Sequence, residues 1–253
     1  MRKKLIREQF NKQAERFAQF ELTRNEAIFR FIIDFCQFKE SDTLLDVACG
    51  SGAFASFCSP ILKQAVGVDI SDELIKHAKS NSDTAKLSNT NFLCCDVEKL
   101  PFPDASFDVA TCRSAFHHME NCDLVINEIA RTVKKGGKIC IQDMTSYEHS
   151  NVNAFFERME KCIDLSHFRA ISARDIRNLF AAKNIKTERV FETILTHNLT
   201  DYIGHAYQSK SQLDFLSEIV SAGLNDDAIS EFLFERDQKI YFKRSGIVIY
   251  GKV

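Results

Sequence analysis

The stretch that most constrains what this chain can fold into is Thr43–Gly52, TLLDVACGSG. Its apolar run (Leu44, Leu45, Val47) ends in glycines and is followed by a helical pattern. An apolar strand of this kind is buried on both faces, as in the middle of a parallel sheet. The glycines let backbone come close to a ligand, and the free N–H groups of the next helix point to the same place. In doubly wound α/β domains, nucleotides bind there, beyond the carboxyl end of the first strand. The stretch therefore predicts a nucleotide-like ligand.

Two kinds of nucleotide fit the loop. Gly50-Ser51-Gly52-Ala53-Phe54-Ala55 satisfies the loose dinucleotide pattern G-x-G-x-x-G/A. Asp69 stands roughly 20 positions on, where an acid holds ribose hydroxyls in either case. The context separates them. Asp46 lies inside the strand, four residues before Gly50, and suits a cationic amino-acid tail better than a pyrophosphate. Asp96, closing the later strand FLCCD, can meet an adenine amino group. The two acids favour S-adenosylmethionine, with an NAD-dependent oxidoreductase as the alternative.

From residue 43 strand and helix alternate, as a parallel sheet requires. Strands are expected at Thr43–Cys49, Gln64–Asp69, Asn91–Cys95, Ser106–Cys112 and Lys138–Met144, then near Thr187–Thr196 and in the closing GIVIYGKV. Ser71 is placed to cap a helix over Asp72–Ser82. Lys134-Lys135-Gly136-Gly137 has the residues of a helix end turning through the left-handed region. Ser172-Ala-Arg-Asp175 resembles a capping box, with Asp where Glu is usual. Before the first strand, Ile6, Phe10, Ala14 and Phe17 repeat at helical spacing, as do Ile28, Phe31, Ile32 and Phe35. Residues 1–40 are read as a helical lid, with Phe10 and Phe17 able to pack on the ligand. Two irregular insertions, 145–171 and 197–236, form a substrate cap around the same single domain.

Composition narrows the rest. The chain has 253 residues, enough for one α/β domain with insertions. Its net charge of −2 carries no block of one sign, so neither a nucleic-acid track nor an anionic membrane surface is indicated. The basic start is followed by no apolar signal region, and no stretch approaches the roughly 18 apolar residues of a membrane span. Nine cysteines, an odd number with no C-x-x-C pair, read as free thiols in a cytoplasmic protein. No Cys or His spacing suggests a metal site.

Five segments then arrive in a fixed order: LLDVACGSGAFA (44–55), VGVDISDELIKHA (66–78), FLCCDVEKLPFPDASFDVATC (92–112), SAFHH (114–118) and EIARTVKKGGKICI (128–141). Together they resemble the class I S-adenosylmethionine-dependent methyltransferases, and within them the methyltransferase type 11 group related to the ubiquinone/menaquinone-biosynthesis C-methyltransferases. The resemblance implies a Rossmann-like, seven-stranded, mostly parallel sheet whose last strand is antiparallel, with 43–144 as the cofactor-binding core. It implies that Asp46, Ala48, Cys49, Gly50 and Gly52 line the methionine moiety. Asp69 would take the ribose hydroxyls, Ile70 and Val97 would flank the adenine, and Asp96 would take its amine. Arg113 and Ser114 would pass under the sulfonium. Phe17 stands where the group often carries tyrosine.

The activity implied is methyl transfer to a small-molecule acceptor, with a non-catalytic binding protein of the same fold as a second alternative. In-line alignment supplies most of the rate, and a general base is needed only when the acceptor must lose a proton. The candidates are His118, then His117, then His167 in the polar corner with Asp164 and Arg169.

Overall fold

The protein, described here from a computed structural model, is seen over residues 2–253, the side chain of Leu22 excepted. Helices α1 (Arg2–Gln19) and α2 (Glu26–Phe35) precede the sheet, joined by a 3-10 turn at Glu21–Arg24. Then come β1 (Thr43–Val47), α3 (Ala53–Cys58), β2 (Gln64–Asp69), α4 (Asp72–Thr84), β3 (Thr90–Cys94) and β4 (Phe107–Arg113). α5 (Cys122–Thr132) leads into β5 (Val133–Met144), followed by α6 (Ser150–Ile163) and α7 (Ala173–Ala182). β6 (Lys186–Asn198), α8 (Leu199–Ile203), α9 (Lys210–Leu224), β7 (Leu233–Arg236) and β8 (Lys239–Lys252) complete the chain.

The sheet runs β3-β2-β1-β4-β5-β8-β6. Pairs from β3 to β5 are parallel, and β8 is antiparallel to both β5 and β6. These are the seven expected strands. An eighth, the short β7, pairs with β8 off that path, so the 197–236 segment ends in a hairpin as well as carrying helices. The order reverses between β1 and β4, and such a switch point opens a crevice at the carboxyl ends of the two strands.

Alternation along β1 sorts the core. Leu45 and Val47 enter the layer under α5 and α7, whereas Leu44 enters the layer under α2 and α3. Asp46 shares the Leu44 face, so the strand's one acid projects on the side of α2 and α3. A third apolar cluster joins α6, α8, α9, β7 and the start of β8, with Phe156, Met159 and Phe242 fully buried in it. This is the body of the cap.

Local signals hold in part. Ser71 caps α4, its hydroxyl accepting from the Leu74 amide. The Ser172 hydroxyl accepts from the Asp175 amide, but there is no reciprocal box: the shorter Asp175 carboxylate accepts from that same hydroxyl at 2.8 Å. Lys134–Gly137, expected to end a helix, lies instead inside β5, while α5 stops at Thr132 with Val133 already extended. The Gly136 amide donates to the Val253 carbonyl at 2.8 Å and the Val253 amide to the Gly137 carbonyl at 3.0 Å. Strand pairing with the far end of the chain outweighs the local helix-end preference. The positive φ of Gly136 (+75°) is kept, as a kink in the strand.

Candidate active site

A cavity of about 240 Å³ opens at the switch point and continues under the cap. One end is made by the turns after β1, β2 and β3, the other by the β4–α5 turn, β6, α8 and β8, and α1 covers both. Of the residues expected in the site, all but Gly52 and His167 line it.

At the first end, Asp46 is buried opposite Thr111 in the β1–β4 register and accepts from the Thr111 hydroxyl at 2.8 Å. Burial raises its carboxyl to about 6, against the lowering effect of Arg113, the Thr111 hydroxyl and the Ala55 amide. Burial also lowers the Arg113 guanidinium, against the pull of Asp46. Both partners are pushed toward their neutral forms, so desolvation outweighs their attraction. The Arg113 guanidinium is turned aside: it lies over the rings of Phe29 (4.6 Å) and Phe54 (4.9 Å), and Nε donates to Gln142 at 3.1 Å. That leaves Asp46 short of a cation on its cavity side.

Asp69 accepts from the Gly50 amide on one oxygen and the Ser71 amide on the other, both at 2.9 Å. Each oxygen keeps a second lone pair, which is what two ribose hydroxyls would use. Ala48 (φ +56°) and Ser114 (φ +47°) adopt left-handed backbone on the cavity wall, a strain that concentrates at functional sites. Gly50 (φ +56°) faces Phe17, and a Cβ there would lie 3.0 Å from the Phe17 ring. A carboxylate short of a cation, a second carboxylate with lone pairs free for ribose hydroxyls and a bare backbone wall all fit S-adenosylmethionine.

Two expectations shift at this end. Gly52 does not reach the cavity; it begins α3 at φ +74°, and a Cβ there would lie 2.6 Å from Phe92. Its absent side chain serves packing of the turn on β3. Asp96 and Val97 line the cavity, but Lys3 of α1 donates to Asp96 at 2.6 Å and to Glu98 at 2.5 Å. Any adenine contact at Asp96 is shared with the lid.

At the other end, His117 Nδ1 donates to Asp143 at 2.5 Å. Asp143 also accepts from the amides of Ala115 (2.9 Å), Phe116 (2.7 Å) and Met144 (2.7 Å). Burial would raise the Asp143 carboxyl, yet His117 and the Met144 amide hold it below the usual range. An ionised Asp143 keeps the proton on Nδ1 of His117 and leaves Nε2 of the neutral ring as a lone pair. His118 forms a longer relay. The Ser166 hydroxyl spends its proton on Asp164 at 2.5 Å, so His118 Nδ1 must donate to Ser166 Oγ at 3.0 Å. Burial, then His117, lower His118 to about 3. Its Nε2 is a hydrogen-bond acceptor and a poor base.

His167 lies behind this pair, its ring 5.6 Å from that of His117. Its Nε2 meets Glu157 at 3.1 Å rather than Asp164 or Arg169, because the corner turns the ring toward α6. Asp143 was missed in the sequence. Its signal is the one Asp46 carries, a carboxylate inside a buried strand. Also missed were Glu160, Tyr202 and Arg244, whose elements carry no motif.

α1 closes the cavity through contacts on both sides. Phe17 rests on Gly50, Phe10 stands edge-on to Phe17 (5.5 Å) and to His118 (5.0 Å), and Gln13 donates to Asp164 at 3.1 Å. Among the described residues no cluster of three or more His, Cys, Asp or Glu could hold a metal ion, and no helix is long and apolar enough to cross a membrane.

Residues 45–141 match the family described as "Methyltransferase domain". The chain is 28% identical over 176 residues to the uncharacterized methyltransferase YcgJ of Bacillus subtilis, covering 70% of each protein. It is 28% identical over 190 residues to the ubiquinone/menaquinone biosynthesis C-methyltransferase UbiE of Pseudomonas putida, covering 69% of this chain and 74% of that one. The crystal structure of the Bacillus YcgJ protein superposes with a TM-score of 0.83 at 25% identity, covering 90% of this chain and 98% of the other. Nothing favours the NAD-dependent or non-catalytic alternatives. The acids, the loop and the sheet order agree with these likenesses: residues 45–141 form a methyltransferase domain, and the chain is similar in sequence and fold to S-adenosylmethionine-dependent methyltransferases.

Proposed function

We propose that this methyltransferase acts on a small-molecule acceptor that gives up a proton to His117. The observation that carries the reading is the His117–Asp143 pair, 2.5 Å apart, with His117 lining a covered cavity of about 240 Å³ that Asp46 and Asp69 also line and Asp143 standing behind it. A space of that size takes a metabolite-sized group and not a folded macromolecule. S-adenosylmethionine supplies an electrophilic methyl group on its sulfonium. Asp46 and Asp69 hold the amino-acid tail and the ribose, and Phe10 and Phe17 keep water out. Asp143 orients His117 and stabilises its protonated form, while His118 Nε2 accepts a hydrogen bond from the acceptor and orients it. On this reading His117 ranks above His118 as the base, and His167 supports the corner.

The test pairs binding with turnover. S-adenosylhomocysteine is titrated calorimetrically into wild type, Asp69→Ala and Asp143→Asn, and label transfer from methyl-labelled S-adenosylmethionine is followed in a metabolite extract. Asp69→Ala should lose the nucleoside. Asp143→Asn should bind it within about threefold of wild type while transfer falls by roughly 10²–10⁴, the usual contribution of a general base. Label recovered only in protein or RNA would overturn the small-molecule reading, and unchanged turnover in Asp143→Asn would remove the base.

A further inference from the structure

The acceptor end of the cavity contains a cation, Arg244, that makes no direct ion pair among the described residues. Arg244 stands opposite Leu195 in the β8–β6 register, with His197 opposite Phe242 one step along the same face. All but Phe242 line the cavity. Of the five N–H donors of the Arg244 guanidinium, only one is used among the described residues, by Nη1 to the Tyr202 hydroxyl at 3.2 Å. No carboxylate there lies within 4 Å of it.

The neighbouring acids take their hydrogen bonds from groups other than Arg244. The Glu160 carboxylate accepts from the same Tyr202 hydroxyl at 3.0 and 3.3 Å, so the phenol stands between cation and acid. Asp164 is held by Ser166 and Gln13, and Asp143 by His117 and three amides. His197 contributes a second unmet group, a buried Nε2 with no partner. Glu160 and Asp143 act on this guanidinium only at a distance, and a buried guanidinium whose remaining donors meet no acceptor is costly unless something arrives to pair with it. Its planar fork matches an oxyanion.

Resting on the small-molecule reading above, we propose that the methyl acceptor carries an oxyanion group, a carboxylate or a phosphate, which Arg244 binds at the cap end of the cavity while His197 adds a hydrogen bond. The anion is held by β8 and β6, elements outside the nucleoside-binding turns. Recognition of the acceptor and of the cofactor is therefore separable by mutation.

The experiment uses the full chain saturated with S-adenosylhomocysteine and titrates benzoate, phenyl phosphate and the neutral isostere benzamide. Wild type should bind benzoate or phenyl phosphate at least about tenfold more tightly than benzamide, as expected when a charge-assisted pair is lost. The stronger of the two anions identifies which oxyanion the site takes. Glu160→Gln should keep that preference. Glu160→Gln/Arg244→Met, which leaves no acid unpaired, should abolish it with S-adenosylhomocysteine affinity within about twofold. Equal binding of benzamide, no binding of either anion, or a preference that survives the double variant would overturn the proposal. Failure of wild type to bind S-adenosylhomocysteine would instead strike the methyltransferase reading, and is read in a separate titration.

Discussion

Asp46 is a carboxylate strained by its burial. Its carboxyl, raised by burial to about 6, gains most from a ligand that brings its own cation. A cationic amino-acid tail binds the ionised form, so a proton must leave whenever the pH is below that value. The affinity for S-adenosylhomocysteine should therefore be level above about pH 6.5 and fall by up to roughly tenfold per unit below about 6. Asp46→Asn should bind more weakly at neutral pH and lose this slope. Calorimetry at about pH 5 and 7.5 on both proteins checks it; an unchanged slope in Asp46→Asn would assign the titration to another group. Asp46 and Asp69 were legible in the sequence because a carboxylate in an apolar strand or at its end needs a partner. The same logic applies to Asp143. Gly52 and His167 misled for the opposite reason, since a motif position does not say which way a residue faces.

α1 covers the cavity. It is polar for a lid, with Gln9 and Gln13 buried, and much of its attachment is through side chains: Lys3 to Asp96 and Glu98, Arg7 to Asp72 at 3.0 Å, Asn11 to Ser71 at 2.7 Å. The Lys3 and Arg7 pairs are part-exposed, so each contributes little to global stability, typically below about 1 kcal/mol. Local opening is another matter, because a helix held by few apolar contacts lifts at low cost. Lys3→Ala/Arg7→Ala should leave the unfolding temperature nearly unchanged, speed trypsin cleavage within residues 2–19, and raise the S-adenosylhomocysteine off-rate several-fold. Cleavage and off-rates equal to wild type would show that Phe10, Phe17 and Gln13 hold the helix unaided. The helical period of α1 was plain in the sequence, and its partners were not, because its polar residues reach four separate loops.

At the scale of the whole molecule, three apolar clusters meet around one polar seam. Glu160 lies in that seam, 2% exposed, with its carboxyl raised by burial to about 7 despite the opposing charge of Arg244. A folded value above the ordinary 4.5 means that the native state binds the proton more tightly than the unfolded chain. This contribution is full at low pH and is lost as pH rises from about 4.5 through 7. Glu160→Gln removes it, so the stability difference, variant minus wild type, should grow between about pH 5 and 8 by roughly 1 kcal/mol per unit at most. Urea midpoints for both proteins at the two pH values measure this; a constant difference would mean that Glu160 titrates normally.

By itself the sequence determined the parallel core from β1 to β5 and marked the acids and glycines gathered at one end of the cavity. These depend on short-range pattern: apolar runs that bury on both faces, glycines where backbone must turn, and acids where a buried strand ends. Tertiary structure alone decided the cap end of the cavity. The pairing of Arg244 with Leu195 across β8 and β6, the Tyr202 hydroxyl between Arg244 and Glu160, and the Asp143 carboxylate under His117 join residues from elements far apart in the chain. No local period encodes such meetings. They follow from strand register and from how the cap packs, and these are set by the burial of the whole chain at once.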